Sequence, residues 1–408
     1  MISRDDALAF VLAGVDRLDT VSVAVTSALG SVLAHDVVAA HLVPPFANSA
    51  MDGVALRSVD SAPGARLRLV GTIAAGTVAS RSIGPGESMR IMTGAPMPDG
   101  ADAVVMVERC TFGGTPGEEV VEVADAVPAG HHVRPAGDDI APGDAVLSAG
   151  TTLTPGAIAL LRTVGRDRVD VIRRPLVGVF STGDELVEPP AELGPGQIYD
   201  SNRSALVGLL AESGFDPLDL GLIADDEERI EGAVRDGVAR CDALVTSGGV
   251  SMGDFDFVKT VLDRIGDMRW MQIAIKPAKP LAFGTVPSRG RAVPVFGLPG
   301  NPVSSMVSFE LFARPALRKM AGHEVLERPT VAAIAEHDFG RRSDGKTHFV
   351  RVVVSVDDAG CYRVVSAGGQ GSHHVASMAA ANGLVVLDDG EGARAGETVR
   401  VLPIGPVI

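Results

Sequence analysis

The chain has 408 residues, 46% of them hydrophobic and 21% charged, which excludes a disordered protein and allows about two to four domains. Its formal net charge of −15 argues against a general nucleic-acid binder, because such a protein presents a basic surface. An anionic ligand stays compatible with this charge, since a local basic cluster is enough to bind it.

The cysteines and the N-terminus indicate the compartment. Cys110, Cys241 and Cys361 lie far apart and form no CxxC pair, so neither a disulfide framework nor a zinc site is indicated. The first six residues include acidic side chains where a signal peptide needs basic ones. No uncharged apolar run reaches the roughly 18 residues of a membrane span. We therefore expect a cytoplasmic protein that associates with no membrane.

The N-terminal part predicts a split domain with an insertion. Ser3 precedes an amphipathic helix pattern and is a typical N-cap. Residues 54–145 alternate between apolar and polar, with frequent glycine and proline breaks, which is typical of a small, mostly antiparallel β module. We predict an N-terminal domain formed by residues 1–46 and 146–172, and a β domain inserted at residues 47–145.

The second half predicts a different architecture. Strand and helix patterns alternate over residues 173–325, and residues 176–180 form a continuous apolar run, as in a strand buried on both faces. This alternation predicts a parallel, doubly wound α/β domain. Short strand patterns return afterwards and predict a C-terminal β domain at residues 328–408. The expected fold is therefore an elongated multidomain chain, with mostly-β domains on both sides of the α/β domain.

The loops after the α/β strands hold the first candidate site residues, because ligands bind outside the carboxyl ends of parallel strands. Residues 181–186 contain Asp184 and Glu185, which suit a metal or a ligand hydroxyl, or only a helix start. Residues 246–256 contain three glycines, two serines and two aspartates. This composition is typical of a phosphate cradle with bridging Mg²⁺, and the alternative is a tightly packed turn.

Basic and hydroxyl groups follow in two later segments. Lys276 and Lys279 each precede a proline, which restricts both lysines to extended backbone and suits a multiply charged anion. Solvated surface lysines are the alternative. Residues 297–304 combine glycines with Ser304 at a predicted helix start. By themselves, the polar loops at residues 48–53 and 92–96 favour ordinary turn chemistry.

Six segments together resemble the molybdopterin molybdenumtransferase family, known as MoeA and as the E domain of gephyrin-type proteins. They occur in the family's order and span nearly the whole chain. The segments are SAMDG at 49–53, MTGAP at 92–96 with GADAVV at 100–105, TGDEL at 182–186, SGGVS at 247–251, KPAKP at 276–280 and GLPGNPVS at 297–304. One departure is Ala278, which replaces the glycine that is usual between the two lysines.

The resemblance implies an elongated homodimer in molybdenum cofactor biosynthesis. The α/β domain would bind adenylylated molybdopterin, in a cleft shared with the partner's N-terminal β region. The family's reaction transfers molybdate to the dithiolene of that ligand and releases AMP with the help of Mg²⁺. An adenylyltransferase would supply the substrate. Two alternatives stay open, which are a molybdopterin adenylyltransferase and a receptor-clustering scaffold of the gephyrin type.

The resemblance also implies roles for individual residues. The catalytic positions would be Asp52, Thr93, Asp138, Glu185, Asp225 and Asp256. Two of these carboxylates, Glu185 and Asp256, would hold the Mg²⁺. The substrate-binding positions would be Thr182, Ser247, Gly248, Gly249, Ser251, Lys276, Lys279, Pro299, Asn301, Ser304, Arg351 and Ser372.

Overall fold

The computed structural model describes residues 1–249 and 257–407, which form two compact units. The predicted residues Ser251 and Asp256 lie outside the described residues. In the described part, no helix is both long and apolar enough to cross a membrane. The first unit comprises Met1–Val21, Gly30–Val32 and Asp170–Ile408, and the second comprises Ser22–Leu29 and Leu33–Val169.

The second unit is built on a six-stranded sheet whose pairs are antiparallel except for one. Its core consists mainly of small β-branched side chains, because the alternation of each strand turns them inward. This confirms the mostly antiparallel β module. In spatial order the strands are Ala103–Met106, Gly53–Leu56, Glu87–Ile91, Ala65–Ile73, Glu118–Val123 and Cys110–Thr115, and the unit also contains the helix Pro155–Thr163.

The first unit contains a six-stranded α/β sheet. Its first four strands are parallel, and the last two are antiparallel. In spatial order the strands are Asp216–Ile223, Leu176–Thr182, Ala243–Ser247, Arg291–Leu298, Pro280–Ser288 and Asp267–Gln272. The predicted parallel sheet is therefore confirmed for its four strands, and the two antiparallel strands at one edge were not predicted.

A two-residue turn explains part of this difference. Arg289 and Gly290 have φ angles of 49° and 77° and join the strands Pro280–Ser288 and Arg291–Leu298. Two consecutive positive φ angles are the geometry of a tight hairpin turn, which forces an antiparallel pair. The usual sequence signal is Asn-Gly or Asp-Gly, and the arginine at the first position concealed it.

The helices of the α/β domain cover the sheet. The sequence pattern predicts helices at residues 227–240, 257–265 and 303–320. The structure has the first two at Glu227–Arg240 and Phe257–Ile265, and a π-helical segment interrupts the third. The remaining helices of this domain are Asn202–Glu212, Pro302–Ser308, the π-helical Phe309–Ala313 and Arg314–Met320.

The N-terminal helix Arg4–Ala13 packs in the α/β core. Ser3 caps it by accepting a hydrogen bond from the backbone N–H of Asp6 at 3.0 Å. Its buried Leu8 and Val11 belong to the same apolar cluster as Val177 of the central sheet. This packing puts the helix in the same unit as the α/β domain, whereas the sequence predicts that residues 1–46 belong to an N-terminal domain. An apolar stripe predicts that a helix is buried, but not which domain buries it.

The C-terminal part forms a small β-barrel. Its longest strand, Thr347–Val356, pairs with both Tyr362–Ser366 and Gly383–Leu387, which closes the sheet. The strands Val331–Ala335 and Thr398–Pro403 complete the barrel.

The remaining elements are short. They are the strands Thr20–Ala24, Val37–Val38, Asn48–Ser49, Val133–Arg134, Ala145–Leu147, Arg168–Ile172, Leu186–Val187, Ile198–Tyr199, Ile275–Lys276, Phe339–Gly340 and Gly392–Ala393, the helix Val375–Ala380, and single 3₁₀ turns at Val25–Ser27, Ser58–Asp60 and Val107–Arg109.

Candidate active site

A cavity of about 970 Å³ lies between the loops of the α/β domain and the C-terminal barrel, within the first unit. Five of the predicted substrate-binding residues line it, which are Lys276, Lys279, Asn301, Ser304 and Ser372. They are spread over 97 positions of sequence, so only the fold brings them together.

Two backbone connections assemble the walls of this cavity. The short strand Ile275–Lys276 pairs in parallel with the barrel strand Thr347–Val356, and this register sets Lys276 beside His348. The backbone N–H of Val303 donates to the carbonyl oxygen of Ser372 at 3.1 Å, which brings Ser372 to the start of the helix that carries Ser304. The predicted lysines and serines thus belong to one site.

The loop between the two lysines has an uncommon backbone. Ala278 has φ 72° and is 2% exposed. Positive φ favours glycine, because it costs other residues a steric contact with their own Cβ. The alanine therefore keeps the backbone conformation for which glycine is the usual choice.

Arg351 supports the cavity wall from behind. Its side chain is fully buried, its Nε donates to Ser377 Oγ at 3.0 Å, and its Nη2 donates to the carbonyl oxygens of Gly369 and Gly371 at 2.7 and 3.0 Å. These carbonyls directly precede Ser372. Within the described chain its Nη1 has no hydrogen-bond partner, and burial lowers the pKa of the guanidinium. The geometry therefore gives Arg351 the role of positioning the loop that carries Ser372.

No sequence pattern predicted the barrel side of the cavity. The loop at residues 340–348 contributes Arg342 and Lys346 to the lining, together with His348. Asp344 binds Lys346 Nζ at 3.1 Å and His348 Nε2 at 3.2 Å. Burial raises the pKa of Asp344, but hydrogen bonds from these two residues outweigh it and lower the pKa to about 2. The sequence of this loop contains no pattern that predicts a site, because strand pairing alone brings its side chains close to the two lysines.

The strand ends of the α/β sheet form a second group of predicted residues. Asn202 Nδ2 donates to Ser247 Oγ at 2.7 Å and to the carbonyl oxygen of Gly300 at 2.6 Å. The backbone N–H of Gly248 donates to the carbonyl oxygen of Leu298 at 3.1 Å. These bonds join the loops after the third and fourth parallel strands. Asn202 was not predicted, and it would be recognisable only as a polar residue opening a helix.

Carboxylates gather beside these loops. The backbone N–H of Asp225 donates to Asp184 Oδ1 at 3.3 Å. Burial, followed by the charges of Asp184 and Glu185, raises the pKa of Asp225. A divalent cation would relieve this repulsion, so the charge of the site fits Mg²⁺. Within residues 1–249 and 257–407, however, no group of three or more His, Cys, Asp or Glu side chains is arranged to hold a metal ion.

The second unit holds Asp52, Thr93 and Asp138 on exposed loops. The backbone N–H and the Oγ1 of Thr93 both donate to Asp52 Oδ1 at 2.7 Å. These two hydrogen bonds lower the pKa of Asp52. Asp138 follows the strand Val133–Arg134, which pairs with Asn48–Ser49. The structure thus joins Asp52 to Thr93 directly and connects the loop of Asp138 to the same segment.

Models of three protein families match successive parts of the chain. The MoeA N-terminal region (domain I and II) matches residues 2–165, a probable molybdopterin binding domain matches residues 178–319, and the MoeA C-terminal region (domain IV) matches residues 337–404.

Individual relatives resemble the chain over nearly its whole length. The molybdopterin molybdenumtransferase of Haemophilus influenzae is 37% identical over 93% of both chains, and that of Bacillus subtilis is 35% identical over 95% of this chain and 90% of the relative. The chain belongs to the molybdopterin molybdenumtransferase family. A crystal structure of a molybdopterin biosynthesis MoeA protein from Pyrococcus horikoshii shares 31% identity, covers 100% of both chains and has a TM-score of 0.79.

Membership in the molybdopterin molybdenumtransferase family confirms the enzyme class and a role in molybdenum cofactor biosynthesis. It also confirms an α/β domain between mostly-β domains. The roles of single residues stay predictions, and the cavity and the strand-end loops say where to test them.

Gly248 provides the first such test. It has φ 96°, and an added Cβ would lie 2.9 Å from the carbonyl oxygen of Thr182. We expect Gly248→Ala to destabilise the protein by about 2 kcal/mol or more, from the positive φ and the contact with backbone. Urea unfolding measures this change. The matched control is Gly232→Ala on an exposed helical position with open space, which should stabilise by about 0.5–1 kcal/mol. Equal effects of the two substitutions would contradict the prediction.

Proposed function

We propose that this enzyme inserts molybdate into adenylylated molybdopterin and releases AMP in a Mg²⁺-dependent reaction. The observation that carries the proposal is the cavity in which Lys276 and Lys279 lie with Ser304 and Ser372. Ammonium groups and hydroxyl donors are the groups that bind a small oxyanion. Both lysines are exposed, and in the described chain neither has an ion-pair partner, so both are free to bind a ligand.

The chemistry proposed for this cavity needs no redox partner. The two dithiolene sulfurs bind molybdenum, and one oxygen of molybdate leaves as water with the two thiol protons. The oxidation state of the metal does not change. In the other step, water adds to a phosphorus atom of the phosphoanhydride, whose P–O bond breaks to release AMP. The lysines hold the oxyanion next to the sulfurs, and positioning of this kind lowers the entropic part of the barrier.

The strand-end loops supply the proposed site for the phosphate of the AMP moiety. Gly248 and Gly249 have positive φ angles of 96° and 68°, and because the N–H of Gly248 is bound to the carbonyl oxygen of Leu298, the N–H of Gly249 is the proposed backbone donor to phosphate. Asn202 holds Ser247 and Gly300 in place beside them. When bound, Mg²⁺ would offset phosphate charge during cleavage, and Glu185 and Asp256 are its proposed ligands.

Asp225 allows the Mg²⁺ proposal to be tested through stability. The pKa of Asp225 is higher in the folded protein than in the unfolded chain, where it is near 3.8. Ionised Asp225 therefore destabilises the folded protein as the pH rises above about 3.8, and the destabilisation reaches its full size above the folded pKa. Asp225→Asn should therefore be more stable than wild type at pH 7, and the gain should disappear at pH 3. Added Mg²⁺ should raise the melting temperature of wild type more than that of the variant. Equal Mg²⁺ effects would argue against a cation at these carboxylates.

We also propose a homodimer in which the loop of Asp52 and Thr93 completes the active site of a second copy. Both side chains are exposed, and their mutual hydrogen bonds fix the carboxylate in place. Mixing an Asp52→Asn variant with a Lys279→Gln variant tests the idea. Hybrid dimers should regain activity in one of the two sites, whereas no regain would contradict a shared site.

Molybdate-dependent AMP release is the direct test of the proposed function. Purified protein is given adenylylated molybdopterin, with and without molybdate and Mg²⁺, and AMP is measured. ATP consumption with unmodified molybdopterin would instead support the adenylyltransferase alternative. The same preparation can be mixed with a purified adenylyltransferase of this pathway to test whether that enzyme supplies the substrate directly. A receptor-clustering scaffold would show neither activity.

A further inference from the structure

We propose that Arg342 forms a second anion-binding subsite in the cavity, and that it binds the phosphate group that molybdopterin keeps when AMP leaves. This inference rests on the proposed function, since it names where a further part of the same substrate binds. The cavity volume of about 970 Å³ is the first support. Sites for organic ligands of drug size are roughly 300–1,000 Å³. A tetrahedral oxyanion would fill only a small part of this space.

The charge of the cavity is the second support. Five lysine or arginine side chains line it against two aspartates, although the whole chain has a net charge of −15. Arg341 is paired with Asp389 at 2.8 Å, so the remaining surplus is two positive charges, which a molybdate dianion compensates. The cavity charge therefore suits an anionic substrate, and the pairing of the individual cations indicates where a second anionic group of that substrate binds.

Hydrogen bonds from the neighbouring Arg341 hold the loop at residues 340–348 in place. Its side chain is only 3% exposed, and its Nη1 donates to the carbonyl oxygens of Lys346 and Leu387 at 2.9 and 3.0 Å. Its Nη2 donates to Asp389 Oδ1 at 2.8 Å. These bonds connect the loop to the end of the barrel strand Gly383–Leu387, so the backbone that carries Arg342 is fixed. A fixed backbone reduces the entropy lost when a ligand binds.

Among the cations of this loop, Arg342 is available to bind a ligand. Lys346 and His348 are both engaged by Asp344, at 3.1 and 3.2 Å. Arg342 is exposed and lines the cavity, and the part of the chain that the structure describes offers it neither an ion pair nor a hydrogen bond to its side chain. A guanidinium binds phosphate oxygens through two parallel N–H groups, which a lysine cannot do.

Kinetics of the two substrates test this assignment. Arg342→Gln should raise the KM for adenylylated molybdopterin about tenfold, while the KM for molybdate changes less than about twofold. Arg342→Lys should lie between the variant and wild type, because it keeps the charge and loses the paired donors. The matched control is Arg394→Gln, an exposed arginine of the same domain outside the cavity, which should change neither constant. A rise in the KM for molybdate alone, or no change at all, would overturn the subsite.

A binding measurement separates this proposal from the proposed function. Calorimetry compares 6-hydroxymethylpterin phosphate with 6-hydroxymethylpterin, which lacks the phosphate. Wild type should bind the phosphate ester about tenfold more tightly, and Arg342→Gln should bind both equally. This preference without molybdate-dependent AMP release would reject the proposed function and keep the subsite. AMP release without the preference, or with the preference unchanged in the variant, would reject the subsite.

Discussion

Replacing Lys279 by glutamine should raise the KM for molybdate by about 10- to 100-fold, because each hydrogen bond to a charged group contributes about 1.5–3 kcal/mol. Lys279 lines the cavity next to Lys276, and the two ammonium groups are its cations from the α/β domain. Glutamine keeps a donor, is one bond shorter and removes the charge. The readout is molybdate-dependent AMP release at varied molybdate concentration.

Two further variants make the Lys279 result specific. Lys259→Gln removes a lysine that lies over the Trp270 ring, 5.6 Å from its centroid and outside the cavity, so its KM should equal that of wild type. Lys279→Arg keeps the charge and should retain most of the affinity. If Lys279→Gln left the KM for molybdate unchanged, the molybdate site would have to lie elsewhere.

Replacing Arg351 by methionine should abolish most activity and destabilise the C-terminal barrel by about 3 kcal/mol, because it removes a buried, hydrogen-bonded charge. The guanidinium holds two carbonyl oxygens of the loop before Ser372. Without it, these carbonyl oxygens keep only their bonds from Ser377 Oγ and from the backbone N–H of His374, so the loop that carries Ser372 is held less firmly. The expected kinetic result is a lower kcat together with a higher KM for molybdate.

The Arg351 prediction needs a readout beyond stability. Arg351→Lys restores the charge but cannot reproduce the fork that reaches Gly369 and Gly371, so it should recover stability more than activity. Arg400→Met removes an exposed arginine paired with Asp388 in the same domain, and its effect should stay within about 0.5 kcal/mol. Wild-type kinetics in Arg351→Met would show that the loop does not depend on this side chain.

Local sequence patterns predicted those parts of the α/β domain that have regular periodicity. Continuous apolar strands and amphipathic helices have periodic patterns, so Glu227–Arg240 and Phe257–Ile265 matched their predicted bounds. The hairpin at Arg289 and Gly290 escaped because its turn uses an arginine at a positive φ. The N-terminal helix was recognised by its cap and its stripe, but its packing partner was not.

The candidate site also contains residues that sequence patterns predicted and residues that they did not. Lys276, Lys279 and Ser304 stand in segments whose composition is distinctive, and the resemblance to the molybdopterin molybdenumtransferase family pointed to them. Arg342 lies in a loop with no such pattern, and it reaches the cavity only because the strand Ile275–Lys276 pairs with Thr347–Val356. Asn202 joins two loops through side-chain hydrogen bonds that no local pattern encodes.

By itself, the sequence determined the family, the enzyme class, the order of the domains and the segments that hold the candidate residues. These properties depend on local periodicity and on short segments read in order along the chain. Only the tertiary structure showed that the lysines of the α/β domain and the loop at residues 340–348 of the C-terminal barrel line one cavity. It also showed that the buried Arg351 holds the loop before Ser372. The physical reason is that strand pairing and buried hydrogen bonds join residues distant in sequence, and such contacts leave no trace in the spacing of either partner.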